Sequence, residues 1–81
     1  MGSGHGLYKL QAGANKIAAL DDYRRACAVA RERNRDDVIK PLPARAGHKT
    51  IDKLSRQIVV ALGDESLYAQ FPDLFYAELS L

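Results

Sequence analysis

Apolar residues recur at helical spacing in the first half of the chain and predict one long helix. The stripe consists of Ile17, Leu20, Tyr23, Cys27 and Ala30, which share one face of a helix. Asn15 is a suitable N-cap, because its side-chain oxygen can accept a free N–H of the first turn. We therefore predict a helix over about 16–34, with an alternative that continues to Ile39 through a weak point at Asn34. Pro41 must end it, since the residue preceding a proline avoids the helical region.

A second stripe follows an extended, proline-containing loop that covers residues 41–47. Its members are Ile51, Leu54, Ile58 and Leu62. Thr50 is the expected N-cap, and Gly63 stands where a C′ glycine ends a helix. These features predict a helix near 50–62, and we expect it to pack antiparallel to the first.

The last part of the chain is apolar and aromatic, and it permits two interpretations. Asp64 or Ser66 can cap a short turn of helix, and Pro72 then fits the first position of a last helix. One face of that helix would carry Phe71, Phe75 and Leu79. The alternation of apolar and polar residues from Phe75 onward also fits a strand paired with 7–10. We favour the helix.

These elements predict a small all-α domain: a helical hairpin or bundle with one long arginine-rich helix, a second helix near 50–62 and one or two short C-terminal helices. The alternative is an α+β fold with a short terminal strand pair. We take residues 1–12, rich in glycine at their start, as a flexible leader and 13–81 as the single domain.

Composition narrows the class of protein. The chain has 81 residues and a net charge of +2, so it forms one small domain with little room for an enclosed active site. Cys27 is the sole cysteine, which excludes an internal disulfide and favours a reducing compartment. The sequence contains no apolar run of the length that crosses a bilayer. We expect a cytoplasmic protein without a membrane partner.

No motif in the sequence predicts catalysis, a cofactor or a metal. Residues 47–50 resemble the end of a phosphate-binding loop motif. However, His48 separates the glycine from the lysine, and Leu42 stands where the motif requires its first glycine. His5 and His48 are far apart, and Cys27 lies on the apolar stripe, where it is typical of a small core residue. We therefore expect a non-enzymatic protein with no cofactor and no metal site.

Charge is divided unevenly along the chain. All twelve lysines and arginines precede residue 57. In the last 25 residues every charged side chain is acidic, and four of the six aromatic residues lie there. Within the predicted first helix, Asp21 and Asp22 are spaced to pair with Arg25, and Arg33 with Asp37. From 40 to 56, five bases face the single acid Asp52. This division bears on partners, because like charges gathered in one stretch create a local field.

The basic stretch has a resemblance of its own. Residues 45–58 contain a small residue, a turn glycine, a Thr-Ile helix start and polar positions able to face a groove. This segment resembles the turn and recognition helix of a helix-turn-helix protein, although Pro41 and Pro43 disrupt the place of the supporting helix. The resemblance implies a DNA-binding transcriptional regulator. Its nucleic-acid-binding residues would be Arg45, Lys49, Lys53 and Arg56.

Our leading hypothesis is an interaction protein: a modulator, inhibitor or adaptor of bacterial or phage-accessory type that binds a partner protein or forms a homodimer. The motivation is the surplus of apolar side chains in the last part of the chain, since such a surplus is typical of an interface. The predicted interface consists of Tyr68, Phe71, Phe75, Tyr76 and Leu81, with Arg24, Arg31 and Arg35 as its polar rim. Nucleic acid is the second choice of partner.

Overall fold

Residues 3–80 form three α-helices and two short 3-10 helices. This computed structural model describes the backbone of residues 3–80 and the side chains of residues 15–80. Helix α1 spans Ser3–Glu32, α2 spans His48–Ala61 and α3 spans Tyr76–Leu79. The 3-10 helices are Asp36–Val38 and Glu65–Gln70. Within residues 3–80 there is no strand, so the predicted all-α domain with two packed longer helices is confirmed and the terminal strand pair does not form.

Helix α1 begins earlier than predicted. Its first residue is Ser3, so the predicted start near 16 is wrong, and α1 runs through most of the stretch taken as a leader; Met1 and Gly2 lie outside the described residues. Each residue added to an existing helix gains a hydrogen bond without a new nucleation cost. Residues of low helix propensity can therefore extend an existing helix toward its N-terminus although they could not start one.

The other end of α1 lies close to the predicted weak point. The helix ends at Glu32, and Asn34 has a φ of 56°, in the left-handed region that asparagine tolerates better than most residues. The Arg35 N–H then donates to the Ala30 carbonyl. Because the helix has ended, Arg33 and Asp37 are not one turn apart on its surface, and the predicted ion pair between them is wrong. Arg33 binds Asp64 instead, at 2.9 Å.

Helix α2 matches its predicted range. It begins at His48 after Gly47, whose backbone is extended and which supplies no capping side chain, so Thr50 is not the N-cap. Its last residue is Ala61, Leu62 is the C-cap, and Gly63 has a φ of 70°. A left-handed residue at this position costs glycine little, since it has no Cβ. The predicted role of Gly63 as the stop of α2 is confirmed.

The contacts order α1 and α2 in the same chain direction. Ala19 packs with Ile51 near the start of α2, whereas Ala26 and Ala30 belong to the same cluster as Ile58 near its end. The expected antiparallel packing is therefore wrong. Short connections give antiparallel neighbours, but residues 33–47, which we call the connector, are long enough to return along the whole of α2.

The connector and the last part of the chain cover opposite flanks of the α1 stripe that faces α2. On the connector side, the Tyr23 hydroxyl donates to the Lys40 carbonyl at 2.5 Å, and Leu42 packs against the Ala19 cluster. On the other flank lie residues 64–80, which we call the closing segment. The Arg25 guanidinium donates a hydrogen bond to the Gln70 carbonyl of this segment, at 2.9 Å. The two long helices thus form the frame on which both irregular segments lie.

The closing segment begins as predicted and continues differently. Asp64 caps the 3-10 helix by accepting from the Ser66 N–H at 3.0 Å, so one of the two expected caps is confirmed. Pro72 does not begin a helix, because the Leu74 and Phe75 N–H groups both donate to the Phe71 carbonyl and close a turn there. Helix α3 begins only at Tyr76.

The main core lies where both helices meet the closing segment. Its fully buried side chains include the small residues of α1, which allow the close approach of large ones. The cluster contains Ala26, Cys27, Ala30, Val38, Ile58, Val59, Leu67, Phe71, Leu74 and Phe75. The prediction that Cys27 is a small core residue is confirmed, since it is 3% exposed. This core fixes which aromatic side chains remain at the surface.

Candidate interaction surfaces

The aromatic residues of the closing segment divide into buried and exposed ones. Phe71 and Phe75 are 1% and 0% exposed, and Tyr68 is half-buried, with its ring stacked on Phe75 at 4.1 Å between centroids. Large apolar side chains are stabilised most by full burial. Phe71 and Phe75 therefore serve the core and are not available as surface contacts, which removes two residues from the predicted interface.

Two apolar side chains of α3 remain at the surface. Tyr76 is 77% exposed and Leu79 is 48% exposed. Phe75 precedes the helix as its N-cap, and successive residues point about 100° apart around a helix axis, so Tyr76 faces away from the core that holds Phe75. Leu81, the remaining predicted apolar contact, lies outside the described residues.

Leu79 was missed because its predicted place was the core face of a longer helix. That face assumed that Phe71, Phe75 and Leu79 follow one another at helical spacing. Since α3 begins at Tyr76, only Leu79 of the three lies within the helix. The signal available in the sequence was Pro72 followed by Asp73, a pair that is as typical of a turn as of a helix start.

Arg56 of α2 holds α3 against the body of the protein. Its guanidinium donates to the Leu74 carbonyl at 2.8 Å and forms an ion pair with Glu78. The guanidinium carbon also lies 4.8 Å from the centre of the Phe75 ring, a cation–π geometry. We call this set of contacts the Arg56 clamp. Arg56 was a predicted nucleic-acid contact, and in the structure its donors are directed to the closing segment.

Arg25 of α1 makes the equivalent contacts four residues earlier in the closing segment. Besides the Gln70 carbonyl, it binds Asp22 at 2.6 Å and Asp21 at 3.2 Å, so both predicted pairs of Arg25 are confirmed. Its guanidinium carbon lies 4.8 Å from the centre of the Phe71 ring. The sequence showed only the local pairs, because the distant partners depend on the tertiary fold.

The three arginines predicted as a polar rim lie apart from α3. Arg24 and Arg31 are exposed seven residues apart on α1, and within residues 15–80 no ion pair joins either of them to α3. Arg35 is half-buried and binds Asp37 through two hydrogen bonds, of 3.0 and 3.2 Å. The structure therefore does not bring these arginines together with Tyr76 and Leu79.

The remaining predicted nucleic-acid contacts form an exposed cationic surface. Lys49 and Lys53 are exposed one turn apart on α2, and Arg45 is exposed just before the helix; we call these three residues the basic face. The supporting helix of a helix-turn-helix unit would have to end directly before the turn. In the described chain, residues 39–47 contain no helix, so that two-helix unit is not formed here.

Acidic side chains from three elements meet beside the start of α2. Asp22 of α1, Asp52 of α2 and Asp73 of the closing segment line one cavity of about 390 Å³ together with His48; we call these four residues the acidic junction. The other lining residues are Asn15, Ala18 and Ala19. Asp22 is 7% exposed and is neutralised by Arg25. No motif in the sequence indicated this junction, since its members are far apart in the chain.

The environment of Asp52 opposes its ionisation. Burial raises the pKa of Asp52, and the negative charges of Asp22 and Asp73 raise it further, whereas the charge on His48 acts in the opposite direction. Burial and like charges both disfavour a carboxylate. Within residues 15–80, no group of three or more acidic, histidine or cysteine side chains is placed to hold a metal ion.

None of the helices in the described part of the chain has the length and apolar character needed to span a membrane. The exposed large apolar side chains within residues 15–80 are Ile17, Val60, Tyr76 and Leu79, and of these only Tyr76 and Leu79 lie on the same helix. The basic face of α2 is exposed as well. Comparison of the chain with protein-family models, with curated proteins and with solved structures gave no match.

Proposed function

We propose that this protein is a small non-enzymatic interaction protein, a cytoplasmic modulator, inhibitor or adaptor, that binds another protein through Tyr76 and Leu79 of α3. The observation that carries the proposal is the exposure of these two apolar side chains, 77% and 48%, next to a fully buried Phe75. Isolated exposed apolar residues are common. Here the two lie one turn apart on a helix that the Arg56 clamp fixes to the body.

Fixation of α3 lowers the cost of binding. A short helix that is ordered only in a complex loses conformational entropy when it binds. The Arg56 clamp and the burial of Phe75 hold the backbone of α3 in place before any partner arrives. Tyrosine is also among the residues that contribute most to binding at the centre of an interface.

The two side chains cannot form a whole interface, since a stable one covers about 800 Å² on each partner. We therefore assign Tyr76 the role of an anchor that enters a pocket of the partner, with Leu79 beside it. The polar surface around α3 would form the rim. A second copy of the chain is one form that such a partner can take.

Site-specific photo-crosslinking tests the proposal. A benzophenone amino acid replaces Tyr76 in cells that produce the protein, and a matched variant carries it at Ile17, an equally exposed apolar position of α1 at 71%. We expect a defined crosslinked protein, or a dimer of the chain, from position 76 only, and its loss when Leu79→Ser is added. The same products from both positions, or none from position 76, would contradict the proposal.

A further inference from the structure

The basic face of α2 is the feature that the proposed function leaves unexplained. Lys49 and Lys53 lie one turn apart, and Arg45 lies just before the helix. All three side chains are exposed, and within residues 15–80 no ion pair engages them. Exposed lysines are ordinary on a helix. What distinguishes these is that most acids in the second half of the chain face other groups.

Four of the five acids after residue 40 face other groups, and the fifth, Glu65, is exposed at the start of the second 3-10 helix. Asp52, the only acid of α2, lines the acidic junction with Asp73. Asp64 binds Arg33 at 2.9 Å, and Glu78 binds Arg56. Two of the four acids of the closing segment are thus used in ion pairs with arginines and not with Lys49 or Lys53.

We infer that the basic face is a binding surface for the phosphate backbone of nucleic acid, contacted through Arg45, Lys49 and Lys53 without recognition of bases. The warrant is charge complementarity: two exposed lysines one turn apart on a helix, with an exposed arginine just before it, present three positive charges to a chain of phosphates, and such contacts bind without sequence preference. Base recognition by a helix-turn-helix unit is not part of the inference, because its supporting helix is missing. Arg56 is also excluded, since the closing segment uses its donors.

The inference is independent of the proposed function. It uses Arg45 of the connector and two lysines of α2, whereas protein binding uses Tyr76 and Leu79 of α3. Variants of one surface leave the other intact, so the failure of either proposal is recognised separately.

Fluorescence anisotropy with a labelled duplex of random sequence tests the inference. For three phosphate contacts, a plot of the logarithm of the association constant against the logarithm of salt concentration should have a slope of about −3. Lys49→Glu with Lys53→Glu should weaken binding about tenfold or more at low salt and reduce the slope by about 2. Both lysines are exposed, and circular dichroism checks that the variant remains folded.

The control has the same change in net charge on the exposed face of α1. Arg24→Glu with Arg31→Glu alters the general attraction of the protein for a polyanion but leaves the basic face unchanged. We expect this control to bind about tenfold more tightly than the lysine variant. An equal loss in both variants, or no binding of the wild type at low salt, would overturn the inference. Equal affinity for poly-glutamate would assign the face to acidic proteins and would also overturn it.

Discussion

The closing segment contacts the two long helices at two places whose charges differ. Opposite charges are paired at one place, and acidic side chains lie together at the other. At the Arg56 clamp, Glu78 faces a guanidinium that also binds the Leu74 carbonyl at 2.8 Å. At the acidic junction, Asp73 faces the carboxyl groups of Asp22 and Asp52. Both acids belong to the same short segment, yet Glu78 is paired with a cation, whereas Asp73 adds a like charge beside two other carboxyl groups.

The opposite directions of the pKa shifts express this difference. The hydrogen bond from Arg56 lowers the pKa of Glu78, so the stabilisation from Glu78 is present above its usual pKa and is lost as the pH falls through the lowered one. Burial and two like charges raise the pKa of Asp52. The docking of the segment therefore rests on its aromatic core and its clamp rather than on the junction.

Phe75→Ala should have the largest effect, because it removes the centre of the clamp. Phe75 is 0% exposed, Tyr68 stacks on it at 4.1 Å, and the Arg56 guanidinium carbon lies 4.8 Å from its ring centre. Truncation of a buried phenylalanine leaves a cavity, so we expect the free energy of unfolding to fall by about 3–5 kcal/mol. Urea unfolding followed by far-UV circular dichroism measures it.

If Phe75→Ala leaves too little folded protein to measure, Phe75→Leu keeps most of the volume and should show a smaller loss. A loss below about 1 kcal/mol for Phe75→Ala would mean that its site is not the closed core described above.

Arg56→Ala should have an intermediate effect. It removes the bond to the Leu74 carbonyl, the ion pair with Glu78 and the contact with the Phe75 ring. The Arg56 side chain is 42% exposed, so solvent weakens each contact. We expect a loss of about 1–3 kcal/mol, measured by the same urea titration.

Two further variants separate the contributions of Arg56. Arg56→Lys keeps the charge but not the planar group that both binds and stacks, so it should lie between Arg56→Ala and the wild type. Arg24→Ala removes an exposed arginine of α1 and should change stability by no more than about 0.5 kcal/mol. Equal losses for Arg56→Ala and Arg24→Ala would show that the clamp contributes nothing.

Local features of the fold were predictable from the sequence. The range of α2 follows from its apolar stripe and from Gly63, and the cap of the 3-10 helix follows from Asp64. In each of these elements the deciding interactions join residues at most four apart. Such interactions can be predicted from the sequence, because every helix brings residues of the same sequence spacing together.

The features that were wrong or missed depend on contacts between distant residues. The direction of α2 is set by the path of the connector, and the use of Arg56 is set by Leu74 and Glu78, 18 and 22 residues away. The predicted interface contained the exposed Tyr76 together with the buried Phe75. The periodicity of the sequence does not show which of these two adjacent residues is buried, because their exposure depends on α3 beginning at Tyr76, one residue after Phe75.

Asp52→Asn should have the smallest effect of the three, and of opposite sign. Because the folded state raises the pKa of Asp52, its contribution to stability is complete below the usual pKa of an aspartate and is lost as the pH rises through the raised one. The variant removes the charge at every pH, so it should be more stable than the wild type at neutral pH, and the difference should shrink as the pH falls through the raised pKa.

Glu65→Gln removes one negative charge from an exposed position and should show no such convergence. Urea titrations of the three proteins across this pH range decide the matter: an Asp52→Asn variant that is less stable than the wild type at neutral pH would mean that the charge of Asp52 stabilises the folded protein.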